Sequence, residues 1–251
     1  MKKPKVITSV NGRFHIFEVS NELNKLGYLE RIITTYPSFT MFKWGIPIKK
    51  VKSITEIEIL KRLLRKFPLK SEKKTYLNKF FKNYFAKKQL NYLNIDFNVF
   101  IGFTSNQINA FEFCKRNKII TIADEGSAHP NEIISSYAKE ESISGYKLRT
   151  IDPFIIENLI EEYKIADFIF VPSIYTKNSM IANGISKEKI IHNPYGVNLN
   201  LFKPKKKNDE IFRVIFAGGV CHEKGVRYLI EAFNKANLPN SELILAGTVS
   251  Q

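Results

Sequence analysis

Short apolar runs alternate with amphipathic stretches along most of the chain. KVITSV (5–10) is such a run, closed by Asn11-Gly12, and predicts a strand followed by a turn. Phe14, Phe17, Leu23 and Leu26 then recur at roughly helical spacing, with Gly27 placed to cap a helix. LERIITTYP predicts a second strand. DFNVFIGF and KIITIAD predict two more, flanking the helical segment SNQINAFEFCKRN. In PFIIENLIEEYKIADFIFVPS, the shared face of Ile155, Leu159 and Tyr163 predicts a helix that feeds a strand. IYTKNSMIANG continues as helix, and KIIHNPYGV as a short strand and turn. Strands alternating with helices at this spacing predict a mostly parallel sheet covered on both faces.

The pattern breaks at FKPKKKNDEIFR, a polar, basic run that reads as a domain linker, and then restarts. FRVIFAGG predicts a strand, KGVRYLIEAFNKA a helix and SELILAG a strand. The expected organisation is a first α/β domain over 1–204, with a basic helical insertion at 43–90, and the start of a second over 205–251. A single strand–helix–strand unit leaves too much apolar surface uncovered for a complete doubly wound domain, so the chain reads as a fragment.

Composition narrows the class. The 251 residues carry a net charge of +15, and residues 43–88 hold 15 Lys/Arg against 3 Glu, a local excess of +12. On a helix through KKTYLNKFFKNYFAKK, Tyr76, Phe80 and Tyr84 share one face, with Leu77, Phe81 and Phe85 beside them. Such a helix packs on its own domain or, over 71–88, meets an anionic membrane surface peripherally. Charge without a recognition module gives no case for nucleic acid. Cys114 and Cys221 are far apart in sequence and form no CxxC pair, which fits a reducing cytoplasm and neither a disulfide framework nor a zinc site. No apolar segment has signal-peptide length, and none approaches the roughly 20 residues that cross a bilayer.

Two loops carry candidate chemistry. In FAGGVCHEKGVRYLIEAF, Gly218 and Gly219 let a ligand approach backbone N–H groups, and a helix begins near Gly225 with Lys224 at its mouth. That arrangement suits a diphosphate, although it is neither a Walker A nor a GxGxxG motif. A surface lysine beside a capping glycine is the plainer reading of the same residues. His129, in IADEGSAHP, follows an apolar strand with Asp124 and Glu125 nearby. Asn11, Gly12, Arg13 and His15 form the corresponding loop after the first strand, so both loops lie at one sheet edge. His222 lies within the glycine loop, and no HExxH or cysteine–histidine cluster offers an all-protein metal site.

Residues 166–204, ADFIFVPSIYTKNSMIANGISKEKIIHNPYGVNLNLFKP, with Gly218, Lys224, Gly225, Leu229 and Ala232 after them, resemble the family 4 type of retaining, nucleotide-sugar-dependent glycosyltransferases. The stretch GRFHIFEVSNELNKLG is similar to the acceptor-side loop and first helix of a subset of that family. The resemblance implies a GT-B fold of two facing Rossmann-like domains, the second truncated here. It implies hexosyl transfer from a UDP- or GDP-sugar to a hydroxyl of a glycan or lipid-linked acceptor, with retention and without a metal or tightly bound cofactor. By position it gives Lys224 to the donor diphosphate, His129 to the reaction centre near the transferred sugar, and the Asn11–Arg13 loop to the diphosphate or acceptor. The arginine that partners the lysine in that family falls at Gly219, where Arg227 or His222 would have to compensate. The family's E-x7-E element lies beyond residue 251, so the chain by itself is expected to be inactive or very weak. A non-catalytic relic that binds a glycan or lipid acceptor is the alternative. An α/β oxidoreductase lacks its GxGxxG loop, and a phosphorylase-like enzyme its lysine–cofactor site.

Overall fold

Every residue of β1 (Val6–Val10) is buried, and successive side chains pass to opposite sides of the sheet. Ile7 joins one core, while Val6 and Val10 join another. The same division separates Ile33 from Ile32 in β2 (Leu29–Thr34), and Phe100 from Ile101 in β4 (Val99–Phe103). A strand with both faces covered has this pattern, as the apolar runs predict. The structure, a computed structural model, describes residues 3–64, 67, 71–148 and 150–249.

Seven parallel strands lie in the order β3-β2-β1-β4-β5-β6-β7, where β3 is Val51–Ser53, β5 Ile120–Asp124, β6 Phe168–Val171 and β7 Ile190–His192. The helices are α1 (Ile16–Lys25), α2 (Thr55–Leu64), α3 (Ser71–Lys88), α4 (Ile108–Arg116), α5 (Pro130–Ser144), α6 (Pro153–Ile165) and α7 (Ile174–Ala182). Chain order reverses between β1 and β4, and this switch point opens a crevice at the carboxyl ends of those strands. The chain divides into two compact units, 1–136 with 150–195, and 137–149 with 196–251.

Local packing departs from the sequence pattern in places. α1 buries Ile16, Phe17 and Ser20, whereas Phe14 precedes the helix and is exposed, as is Leu26. The aromatic stripe of α3 splits: Phe81 and Phe85 are buried in the core, while Tyr76 and Phe80 stay exposed. Arg65, Lys66 and Lys70 of the basic segment lie outside the described residues. Gln89, just past α3, accepts from Ser9 Oγ at 2.7 Å and donates to the Asn106 carbonyl at 2.8 Å.

The second unit pairs β8 (Phe212–Ala217) in parallel with β9 (Ser241–Ala246), joined through α8 (Val226–Ala236). Val226 is buried, and Leu229 and Phe233 are half-buried; Ile230, expected on the same packing face, is exposed. Gly247 must be glycine, because a Cβ there would collide with the Gly218 carbonyl oxygen.

Candidate functional site

The loops that leave β1, β4 and β5 form the carboxyl edge of the first unit's sheet. Asn11 Nδ2 donates to Asn106 Oδ1 at 3.4 Å, joining the first two loops, and Lys61 Nζ donates to Asn11 Oδ1 at the same distance. Gly12 has a φ of +117°, and its carbonyl accepts from Thr34 Oγ1 at 3.1 Å. Arg13 lies over the ring of Trp44, 5.1 Å from its centroid. His15 Nε2 comes within 2.8 Å of Asp124 Oδ2, joining the β1 and β5 loops.

A buried polar network lies beneath this edge. Glu125 accepts from Tyr163 Oη at 2.6 Å, Thr104 Oγ1 at 2.9 Å and the Ser127 N–H at 2.8 Å. Burial raises its pKa against the pull of those three bonds. Tyr163 is shifted upward too, chiefly by burial and then by Glu125, so its hydroxyl remains a donor. The Tyr163 ring lies 5.9 Å from that of His129. His129 is buried, and its backbone N–H donates to Ser179 Oγ at 3.0 Å. The Asn131 N–H donates to Nδ1 of His129 at 3.3 Å, which leaves the imidazole proton on Nε2. Burial lowers the pKa of this ring, so it is a neutral donor at pH 7.

Ser105 has a φ of +80°, unusual for a residue with a Cβ. Glu162 holds the turn, its carboxylate accepting the N–H groups of Ser105 and Gln107, each at 2.6 Å. Lys82, Ser105, Asn106, Asn109, Asn158 and Glu162 line part of a small cavity of about 80 Å³, together with Ile108 and Phe154. It shares Asn106 with the edge cluster, whereas His15, Asp124 and His129 are not among its lining residues.

In the second unit, Gly225 is the N-terminal boundary of α8 at a φ of +69°, and Lys224 is exposed immediately before it. A Cβ on Gly225 would meet no atom within 4 Å, so only its backbone conformation favours glycine. Gly219 has no such constraint: a Cβ there would meet only Cys221 Sγ, at 3.9 Å. The two groups proposed to compensate at this position are already engaged. Arg227 Nε donates to Glu231 at 2.7 Å, and His222 Nε2 lies 3.2 Å from Glu140 Oε1.

The structure therefore brings Asn11 and His15 together with the β4 and β5 loops, and sets His129 beside the Glu125–Tyr163 pair. Asn106, Asp124 and Tyr195, whose ring lies 4.3 Å from that of His15, are members of the edge that sequence reasoning did not assign. An acidic pair directly after the apolar run of β5 was the available signal for Asp124. Among the described residues, no group of three or more His, Cys, Asp or Glu could hold a metal ion, and no helix is long and apolar enough to cross a membrane.

No protein-family model matches the chain. A processive diacylglycerol alpha-glucosyltransferase of Acholeplasma laidlawii is 28% identical over 114 residues, which cover 41% of this chain and 34% of that protein. Among solved structures, Anabaena HepE in complex with UDP and glucose superimposes with a TM-score of 0.59 at 12% identity, over 98% of this chain and 62% of HepE. The UDP-GlcNAc 2-epimerase of Neisseria meningitidis bound to UDP-GlcNAc gives a TM-score of 0.50 at 13% identity, over 96% of this chain and 64% of the epimerase. The chain thus spans less than two thirds of the length of each of these three proteins. The fold is GT-B-like, and the first unit is its Rossmann-like parallel-sheet domain.

Proposed function

We propose that the chain is part of a family 4 type retaining glycosyltransferase that moves a hexosyl group from a UDP- or GDP-sugar to a hydroxyl of a glycan or lipid-linked acceptor. The observation that carries this reading is the cluster of Asn11, His15, Asn106 and Asp124 at the strand-order switch, where open α/β sheets bind ligands. HepE, which has the same fold, is a protein seen with UDP and glucose, and the Acholeplasma relative is named for diacylglycerol; both agree with this substrate class.

The chemical demand is charge separation, since the diphosphate gains negative charge as the sugar leaves it. Lys224 and the N–H groups at the start of α8, in the second unit, answer that charge electrostatically. His129, a neutral donor, supplies a hydrogen bond to a sugar hydroxyl. The exposed Tyr76 and Phe80, with Lys73 and Lys79 on the same helix, give a membrane-held acceptor an anionic-lipid contact. The site of action is then the inner face of the cytoplasmic membrane.

The test assays the full-length protein for turnover of a panel of nucleotide sugars, beside Lys224→Ala and in the presence of anionic vesicles. A fall of 10²-fold or more in the variant is expected. Failure to bind or turn over any nucleotide sugar would refute the assignment, and vesicle binding that survived reversal of the α3 lysines would remove the membrane role.

A further inference from the structure

Lys82 of α3 lines the small cavity beside Asn106, half-buried and with no carboxylate in ion-pair contact among the described residues. Burial lowers its pKa, and Glu162 and Asp152 oppose that only from beyond ion-pair contact. A partly desolvated ammonium without a counter-ion is costly, and an anion relieves it. Among the described residues its hydrogen bond runs from Nζ to Ser105 Oγ at 3.0 Å, which leaves two ammonium protons unspent. Ser105 Oγ also accepts from Asn106 Nδ2 at 3.2 Å, so both lone pairs are taken and its O–H is left as a donor. Asn109, in the first turn of α4, makes no side-chain hydrogen bond among the described residues, and its amide NH₂ is a further donor to the cavity. Glu162 is the one acid in the described lining. Both of its oxygens are turned to backbone N–H groups, and burial raises it to about 8, so near pH 7 it is mostly uncharged and does not repel an anion. The cavity reaches solvent, since Asn83 in its wall is exposed and Asn109 partly so. Its volume of about 80 Å³ is several times what one water needs. Lys79 Nζ lies 4.4 Å from the centroid of Phe154, a lining ring, which brings a second ammonium alongside.

We propose that this cavity is a binding site for a phosphate monoester, held by Lys82, Ser105 and Asn109. The surplus of donors calls for a ligand that only accepts. The donors come from three places, α3, the turn after β4 and α4, instead of lying in one plane as an arginine fork does. A planar carboxylate suits the fork, whereas the three terminal oxygens of a phosphate accept from several directions, with lysine as a point charge. Glu162 fixes the turn that carries Ser105 at its positive φ, so the hydroxyl is set before a ligand arrives. The monoester belongs either to a soluble molecule or to a lipid headgroup, because α3 bears the exposed Tyr76 and Phe80 as well as Lys82. Asn106, bonded to Ser105 on one side and to Asn11 on the other, then links the bound anion to the strand-order switch.

The experiment titrates the full-length protein with glycerol 3-phosphate, and with phosphatidylcholine vesicles carrying phosphatidate, at fixed ionic strength. Wild type is compared with Lys82→Met, Ser105→Ala and Lys87→Met. Methionine keeps the packing of the lysine stem, and Lys87, exposed on the same helix, removes the same charge elsewhere. Lys82→Met is expected to weaken binding about 10- to 100-fold and Ser105→Ala about two- to tenfold, with Lys87→Met within about twofold of wild type. Equal losses in the two lysine variants would reduce the effect to the general field of the helix and overturn the site. Acetate bound as tightly as glycerol 3-phosphate would overturn the choice of phosphate. Amine acylation of wild type, read by peptide mass spectrometry, does not depend on how any variant folds. At ten times Kd, the phosphate that binds is expected to slow modification of Lys82 about tenfold and to leave Lys87 unchanged. Equal rates with and without both phosphates would overturn the proposal. Vesicles with phosphatidylserine at equal charge identify the source. A preference for phosphatidate that Lys82→Met abolishes assigns the site to a lipid headgroup, and glycerol 3-phosphate binding without that preference assigns it to a soluble phosphate. Binding is read without turnover, so failure of the sugar-transfer reading would leave this result standing.

Discussion

Glu162 has no exposed surface and sits on α6, with both oxygens committed to the Ser105–Gln107 turn. Burial outweighs those two bonds and lifts its carboxyl from an ordinary 4.5 to about 8, with Glu125 adding to the rise and Lys82 opposing it. Between those values the folded chain holds a proton that the unfolded chain has released. The group's contribution is therefore complete below pH 4.5 and lost as pH rises through 8, at about 1.4 kcal/mol per pH unit. Over that window the loss is of the order of 4–5 kcal/mol. Glu162→Gln cannot titrate, but it turns an amide NH₂ toward one backbone N–H, at a cost of about 1–3 kcal/mol. Wild type is expected to be the more stable near pH 5, and the gap to close and reverse by pH 8. Urea unfolding at pH 5, 6, 7 and 8, followed by the fluorescence of Trp44, the chain's single tryptophan, measures this. A gap that stayed constant or widened with pH would mean that the two N–H bonds keep the carboxylate ionised, and would refute the dominance of burial.

Gly219→Arg is expected to fold normally, because a side chain has room there, and to bind UDP about tenfold more tightly by adding a charge-assisted contact. Calorimetric titration of the full-length protein would expose a failure of either part. Gly247→Ala is expected to force β8 and β9 apart at the Gly218 carbonyl, destabilising the second unit by about 1–3 kcal/mol. Hydrogen exchange would register faster exchange of the Val220 N–H, which donates to the Thr248 carbonyl; protection equal to wild type would be the contrary result.

The alternation of strand and helix was legible because buried parallel strands require continuous apolar runs, and β1, β2, β4, β5 and β6 lie where those runs are. β3 escaped notice as three residues, Val-Lys-Ser, at a sheet edge. α5 escaped because its sequence, PNEIISSYAKEESIS, has little apolar periodicity and only Pro130 is fully buried. The α3 stripe was visible, but two adjoining aromatic rows looked equivalent until packing selected Phe81 and Phe85 over Tyr76 and Phe80. Strand-end logic singled out His15, Asn11 and His129 in the loops after β1 and β5. It could not pair His15 with Asp124 or Asn11 with Asn106, since those meetings depend on which strands become neighbours after the crossovers.

The bridge through Gln89 has a mechanical consequence. One amide side chain clamps the end of α3 to Ser9 in the central strand and to the Asn106 carbonyl, all without exposure at Gln89 itself. A load placed on the basic helix thus has a short, stiff route to the loop that presents Asn106. An event on that outer surface would arrive at the strand-order switch as a displacement of a few bonded atoms, without requiring the sheet to deform.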